Sequence, residues 1–175
     1  MTLQPDQIVT ACRCPFSNVN DVWPLVLKAL DQFNIHTDLV EIAAAATIAV
    51  ETAWTFLPVQ EKMADPNRQP DLAADQLRYI PYFGRGLLQT TWKANYQKLE
   101  PHIPGVVANP DLLLQPENSA IALAFYFANN PTPDHNVATA ANAQRWDLVR
   151  ERVNGGLNGY NEFYGCVQRL QGGNT

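Results

Sequence analysis

Cysteine, histidine and positive charge are all scarce in this chain of 175 residues, and each scarcity closes off a class of function. There are three cysteines, Cys12, Cys14 and Cys166, and an odd number argues against a disulfide framework. C-x-C without a neighbouring His is also a poor zinc site. The thiols therefore read as structural groups of a reducing compartment, with a bridge from Cys12 or Cys14 to Cys166 as the alternative. The three histidines, His36, His102 and His135, have no spacing that suits a metal site or a triad. Lys and Arg number 12 against 17 Asp and Glu, a net charge of -5 with no basic stripe, so nucleic acid is not expected as a partner. A membrane-spanning run is also missing. The apolar stretch over 40–50 is too short to cross a bilayer and contains Glu41. The start, M-T-L-Q-P-D-Q-I-V-T-A-C, has no basic segment ahead of an apolar one. No signal peptide and no stable membrane association are therefore expected. Internal repeats and low-complexity segments are absent as well.

What is present is a chain with 46% hydrophobic residues, enough for one domain over 1–175, built as a single core or as two lobes around a cleft. Its centre of organisation is V-E-I-A-A-A-A-T-I-A-V-E, apolar on nearly every side, which suits a helix enclosed by others. Thr37 or Asp38 caps it, and it is expected to run to about Ala53. Near its end stands Glu51, where burial and the negative pole of the helix both disfavour the charged form, the setting of a general acid. Glu61 follows beyond the helix-stopping Pro58.

Other helices are expected over 2–11, over 21–33 behind an Asn20 cap, over 71–78, from about Leu88 onwards, over 116–129, over 138–153 and over 162–170. Asn154-Gly155-Gly156 ends the sixth of these. Two Pro-rich connections, 54–70 and 101–110, separate them, the first with room for one short β-hairpin. The fold class is mainly α.

Three stretches carry chemistry: A-V-E-T-A-W-T-F, Y-F-G-R-G-L-L-Q-T-T-W-K-A-N-Y and R-V-N-G-G-L-N-G. Together they resemble the family 19 chitinases and the similar phage endolysins of the lysozyme superfamily. The match runs over about 38–170, and G-R-G-x-x-Q-x-T-x-x-x-N-Y is its most specific part. The resemblance implies a lysozyme-like fold of two helical lobes around a cleft, with no metal and no organic cofactor. It implies Glu51 as general acid, Glu61 as general base and Thr91 as a holder of the attacking water. Gln89, Asn95, Tyr96 and Asn154 would then orient sugar or water. Trp54, next to Glu51, joins the substrate-binding set as a ring for stacking on sugar. Asp65 is the substitute second carboxylate, and Arg85 reads as a structural ion-pair partner. The family inverts, which implies carboxyl groups roughly 6.5–9.5 Å apart with a water between them.

The sequence departs from the pattern in places. Val50 stands where many relatives have His, Ala53-Trp54 replaces Gly-Gly, and Asn158 and Glu162 replace a Glu and an Arg that pair in plant enzymes. The expected function is an endolysin-type peptidoglycan hydrolase, acting as a monomer on β-1,4 bonds of the wall glycan and causing bacterial lysis. It would be made in the host bacterial cytoplasm and reach the wall after holin-mediated release. A chitinase acting on chitin oligosaccharides, or a non-catalytic wall-binding protein of the same fold, are the alternatives.

Overall fold

The computed structural model describes residues 2–172. Its elements, in chain order, are helices α1 (Pro5–Cys12), α2 (Phe16–Gln32) and α3 (Asp38–Glu51), strand β1 (Val59–Gln60), helix α4 (Pro70–Leu77), strand β2 (Arg85–Gly86), helix α5 (Lys93–Leu99), a 3₁₀ turn (Pro110–Leu114), and helices α6 (Pro116–Asn129), α7 (Val137–Asn142), α8 (Trp146–Asn154) and α9 (Tyr160–Leu170). The fold is mainly α, as expected.

Helix α3 is the hub. Thr37 caps it, its hydroxyl accepting from the amide of Val40 at 3.2 Å. Every residue from Val40 to Ala49 is buried, and α1, α7, α8 and α9 pack around it. Four consecutive alanines, Ala43 to Ala46, let those helices approach closely. A larger side chain there would overpack the centre at a cost of about 1–3 kcal/mol. The surrounding core takes Trp23, Leu30, Ile48, Phe127, Val149 and Phe163. A second, smaller core gathers Tyr96, Leu99, Ile103, Val106, Leu113 and Ala122. Helix α6 contributes to both and so joins the two lobes.

Several boundaries differ from expectation. Helix α2 begins at Phe16, not beyond Asn20, and runs through Pro24. Proline removes one helical donor, but Val19, Val22, Trp23 and Val26 bury a continuous face across it, and that packing prevails. The helix expected over 138–153 is two helices. Gln144 takes a left-handed φ of 53° between them, a turn that no Gly or Pro announces. Helix does not resume at Leu88, because Arg85 and Thr90 bond each other's backbones (3.2 and 2.9 Å) and hold 85–90 in a tight reversal. The short β-pair is also not a hairpin inside 54–70. β1 pairs antiparallel with β2, Val59 opposite Gly86 and Gln60 opposite Arg85, and so ties the first Pro-rich connection to the motif segment.

A buried carboxylate fastens the N-terminal segment. Glu41 accepts from the Leu3 amide at 2.6 Å and from His36 Nε2 at 2.5 Å, while Asp31 meets His36 Nδ1 at 2.6 Å. Burial pulls the imidazole's pKa down, but the bonds to Asp31 and Glu41 outweigh it and hold it above its usual 6.5. A raised folded-state value stabilises the fold fully below the unfolded value and less as pH rises through the folded one. The melting temperature is therefore expected to decline as pH is raised above about 6.5, the ordinary imidazole value. In His36→Gln that segment of the stability–pH curve should be flat; an unchanged slope would assign it to another group.

Candidate active site

The site is assembled from four pieces of chain. The end of α3 brings Glu51. The segment after β1 brings Glu61. The reversal after β2 brings Gln89, Thr90, Thr91 and Trp92, with Asn95 on α5. Tyr126 of α6 and Val153 and Asn154 of α8 close the other wall. All of them line one cleft of about 520 Å³ between the lobes, together with Tyr79, Gly84 and Leu88. That volume suits a small-molecule or sugar-sized ligand.

Glu51 is largely buried, its side chain 13% exposed, and its Oε1 accepts a hydrogen bond from Nη1 of Arg150, a residue 4% exposed. Arg150 is held in turn by the Asn158 carbonyl, to which its Nε donates at 2.6 Å. The helix-end carboxylate thus has a countercharge that the sequence reading did not include. Asn158 does take part in the network around the acid, through its backbone. Gly159 makes room for it: with a φ of 70°, a Cβ at that position would lie 3.2 Å from Arg150 Nη2 and 3.3 Å from Val50 Cγ1.

Glu61 is oriented by three donors. Gln76 Nε2 (2.8 Å) and Tyr79 OH (3.0 Å) bond Oε1, and the Gly84 amide bonds Oε2 at 3.1 Å. Burial and the Glu61 carboxylate push the Tyr79 phenol up to about 12, so it stays a donor at neutral pH. Across the cleft, burial raises the Tyr126 phenol and the charge of Glu51 adds to this, against the hydrogen bond with Asn130. Asp65, the substitute second acid, does not line the cleft. Its exposed carboxylate accepts from the Asn67 amide at 2.9 Å and pairs with Arg68 at 3.7 Å.

The motif segment works mostly through its backbone shape. Gln89 (φ 55°) and Trp92 (φ 73°) both sit at positive φ, a conformation that costs a bulky residue free energy and is commonly concentrated at functional sites. Gln89 Nε2 donates to the carbonyls of Val59 (2.8 Å) and Gly86 (3.0 Å), bracing β1 against β2. Thr91 donates its hydroxyl proton to the Gln89 carbonyl at 3.0 Å, which leaves its lone pairs as acceptors. Asn95 Nδ2 donates to the Thr91 carbonyl at 2.8 Å, leaving its amide oxygen unused by this bond. Asn154 is exposed on the opposite wall, its Nδ2 3.4 Å from the Asn158 carbonyl.

Two of the expected contact residues are elsewhere. Tyr96 is wholly buried in the smaller core, and its hydroxyl donates to the Phe83 carbonyl at 2.8 Å. It supports the wall from behind. Trp54 lies in a separate groove with Arg13 and Arg169. Ala53 and Trp54 take φ of 48° and 68°, so the chain reverses right after α3 and carries the ring away from Glu51. Trp92, from the motif segment, stands on the cleft instead. It is 46% exposed on the cleft, with Tyr79 edge-on at 5.1 Å. Arg85 is structural, as expected: it is 5% exposed, pairs with Asp111 at 2.9 Å and donates to the Pro81 carbonyl at 2.8 Å. Arg150 was missed, although a signal existed. Trp146, Val149 and Arg150 share the buried stripe of α8, and an Arg on such a stripe calls for a buried partner. Among the described residues no cluster of His, Cys, Asp and Glu is fit to hold a metal ion, and no helix is long and apolar enough to cross a membrane.

Gly84 tests how tightly the second carboxylate is seated. A Cβ there would stand 3.0 Å from Gln89 Oε1 and 3.4 Å from Glu61 Oε2. Under the hydrolase reading proposed below, Gly84→Ala is expected to leave the melting temperature nearly unchanged and to lower turnover roughly ten-fold, since displacements under 1 Å already misalign reacting groups. Steady-state kinetics beside a thermal melt would show whether the two effects separate.

No family model and no curated protein matches the sequence. In three dimensions the chain is similar to chitinase C from Streptomyces griseus HUT6037, with a TM-score of 0.64 at 21% identity, over 96% of this chain and 76% of that one. A point mutant of chitinase C matches to the same extent. The fold is accordingly chitinase C-like, mainly helical with one small two-stranded sheet.

Proposed function

We propose that the chain is an inverting glycoside hydrolase that cuts β-1,4-linked N-acetylhexosamine glycans, with bacterial peptidoglycan as its substrate. The observation that carries this reading is the pair of carboxylates: Glu51 from the larger lobe and Glu61 from the smaller one line the same cleft. Glu51 delivers a proton to the glycosidic oxygen as the bond from the anomeric carbon breaks. Glu61 takes a proton from a water that attacks the opposite face, and no covalent intermediate forms. The lone pairs of Thr91 accept from that water. The amides of Asn95 and Asn154 suit an N-acetyl group, and Trp92 offers a ring to a sugar face. The sequence resemblance to phage endolysins favours peptidoglycan and release to the wall through a holin, ending in lysis. The likeness in fold to chitinase C favours chitin, the second reading.

Mass spectrometry of digested peptidoglycan, run beside defined chitin oligomers, separates the two. Peptidoglycan hydrolysis gives muropeptides whose new reducing end identifies the bond. Release of chitobiose without muropeptides would replace the first reading by the second. No product from either polymer would leave a wall-binding protein without activity.

A further inference from the structure

Beside the cleft lies a smaller pocket of about 160 Å³, and the two share Thr90, Asn95 and Tyr126 as lining. A group carried on a ligand in the cleft is therefore within reach of it. Leu99 of α5 with Ala122 and Phe125 of α6 give the pocket an apolar floor, and Lys98, Asn129 and Asn130 give it a polar rim. The amide nitrogens around it are already taken up by backbone carbonyls: Asn95 Nδ2 by Thr91 (2.8 Å), Asn129 Nδ2 by Phe125 (2.8 Å) and Asn130 Nδ2 by Arg152 (2.9 Å). That leaves the three amide oxygens as acceptors. Among the described residues only Thr47 Oγ1 is both buried and unpartnered, so these oxygens are open to solvent. Lys98 is exposed, and no carboxylate among the described residues pairs with it.

Three acceptors, one cation and an apolar floor call for a short branch that brings N–H donors, small apolar groups and a carboxylate. Peptidoglycan carries such a branch on alternate sugars, a lactyl ether extended by alanine and then an acidic residue. Chitin carries only acetamido groups, which bring one N–H each and no charge for Lys98. We propose that the pocket receives the lactyl-peptide branch of a muramic acid residue held in the cleft, and so is the part of the site that separates peptidoglycan from chitin. This rests on the peptidoglycan reading of the cleft. The lactyl and alanine methyls lie on Leu99, Ala122 and Phe125. The peptide N–H groups donate to the amide oxygens of Asn129 and Asn130, and the carboxylate of the acidic residue meets Lys98.

The test is an NMR titration of the full isotope-labelled chain with two monosaccharide probes, neither of which has a glycosidic bond to the next sugar that could be cut. One is N-acetylmuramyl-L-alanyl-D-glutamate and the other is N-acetylglucosamine. The dipeptide probe is expected to bind about ten-fold tighter, the worth of a hydrogen bond and an ion pair at the rim. It should shift the backbone amides of Lys98, Leu99, Asn129 and Asn130, which N-acetylglucosamine should leave in place. Lys98→Gln changes an exposed side chain, so folding is not at stake. It should weaken the dipeptide probe about three- to five-fold without affecting N-acetylglucosamine, while Lys98→Arg keeps the preference. Equal affinity for the two probes, equal weakening of both by Lys98→Gln, or shifts confined to the cleft would each overturn the proposal. Hydrolysis is read separately, on intact peptidoglycan and on glycan strands stripped of their peptides. Preference for the dipeptide probe without any product would keep the pocket and remove the hydrolase. Equal cleavage of both polymers with no preference between the probes would keep the hydrolase and remove the pocket.

Discussion

Glu51→Gln is expected to lower kcat/KM on the glycan by about 10²–10⁴-fold, the usual worth of a general acid. Folding and glycan affinity should be retained. Gln is the informative substitution because its amide oxygen still accepts from Arg150 Nη1, so the buried guanidinium keeps a partner while the transferable proton is gone. Glu51→Ala would mix the chemical effect with an orphaned charge. The matching change on the other wall, Glu61→Gln, removes the base but keeps an acceptor for Gln76 and Tyr79, and a loss of similar order is expected. Asp65→Asn is the control, since that carboxylate lies outside the cleft and should leave the rate alone. Binding and turnover measured separately on each variant decide the matter. If Glu51→Gln binds and turns over like the wild type, the acid–base assignment fails.

The parts of this arrangement legible in the sequence were those written as continuous patterns. An all-round apolar run gives α3, and the spacing G-R-G-x-x-Q-x-T-x-x-x-N-Y gives the cleft segment. What escaped was set by backbone conformations that the residue types do not announce. Ala53 and Trp54 adopt left-handed backbone, the region glycine occupies most freely, at the two positions where similar proteins often have Gly-Gly. The chain keeps that reversal without the residue that signals it. A reader of side chains alone therefore extends the helix to Ala53 and leaves Trp54 in the cleft. Gln144 hides the break between α7 and α8 in the same way. Tyr96 illustrates a different limit: it belongs to the motif, yet the side chain serves as core, because a motif marks a segment and not the direction in which each member points. Arg150 is distant in sequence from Glu51, and only packing brings them together.

That pairing leads to the largest stability effect expected of any single change near the site. Arg150→Met keeps an apolar stem on the buried stripe of α8 but leaves the Glu51 carboxylate without its countercharge. Removing one partner of a buried ion pair costs about 3–5 kcal/mol, because the other charge remains desolvated. Glu51 keeps a face on the cleft, where water reaches it, so the low end, about 3 kcal/mol, is the better figure. For a domain of this size that lowers the melting temperature by roughly 6–12 °C. Arg150 also holds the Asn158 carbonyl through Nε, a second bond that a lysine cannot make alongside the first, so Arg150→Lys should recover only part of the loss. The pairwise contribution comes from a double-mutant cycle. Glu51→Gln in the Arg150→Met background neutralises the stranded carboxylate, so the double variant should be more stable than Arg150→Met alone. Additive losses would instead make Arg150 chiefly an anchor for the turn before α9, and Glu51 would owe its position to α3 and not to the guanidinium.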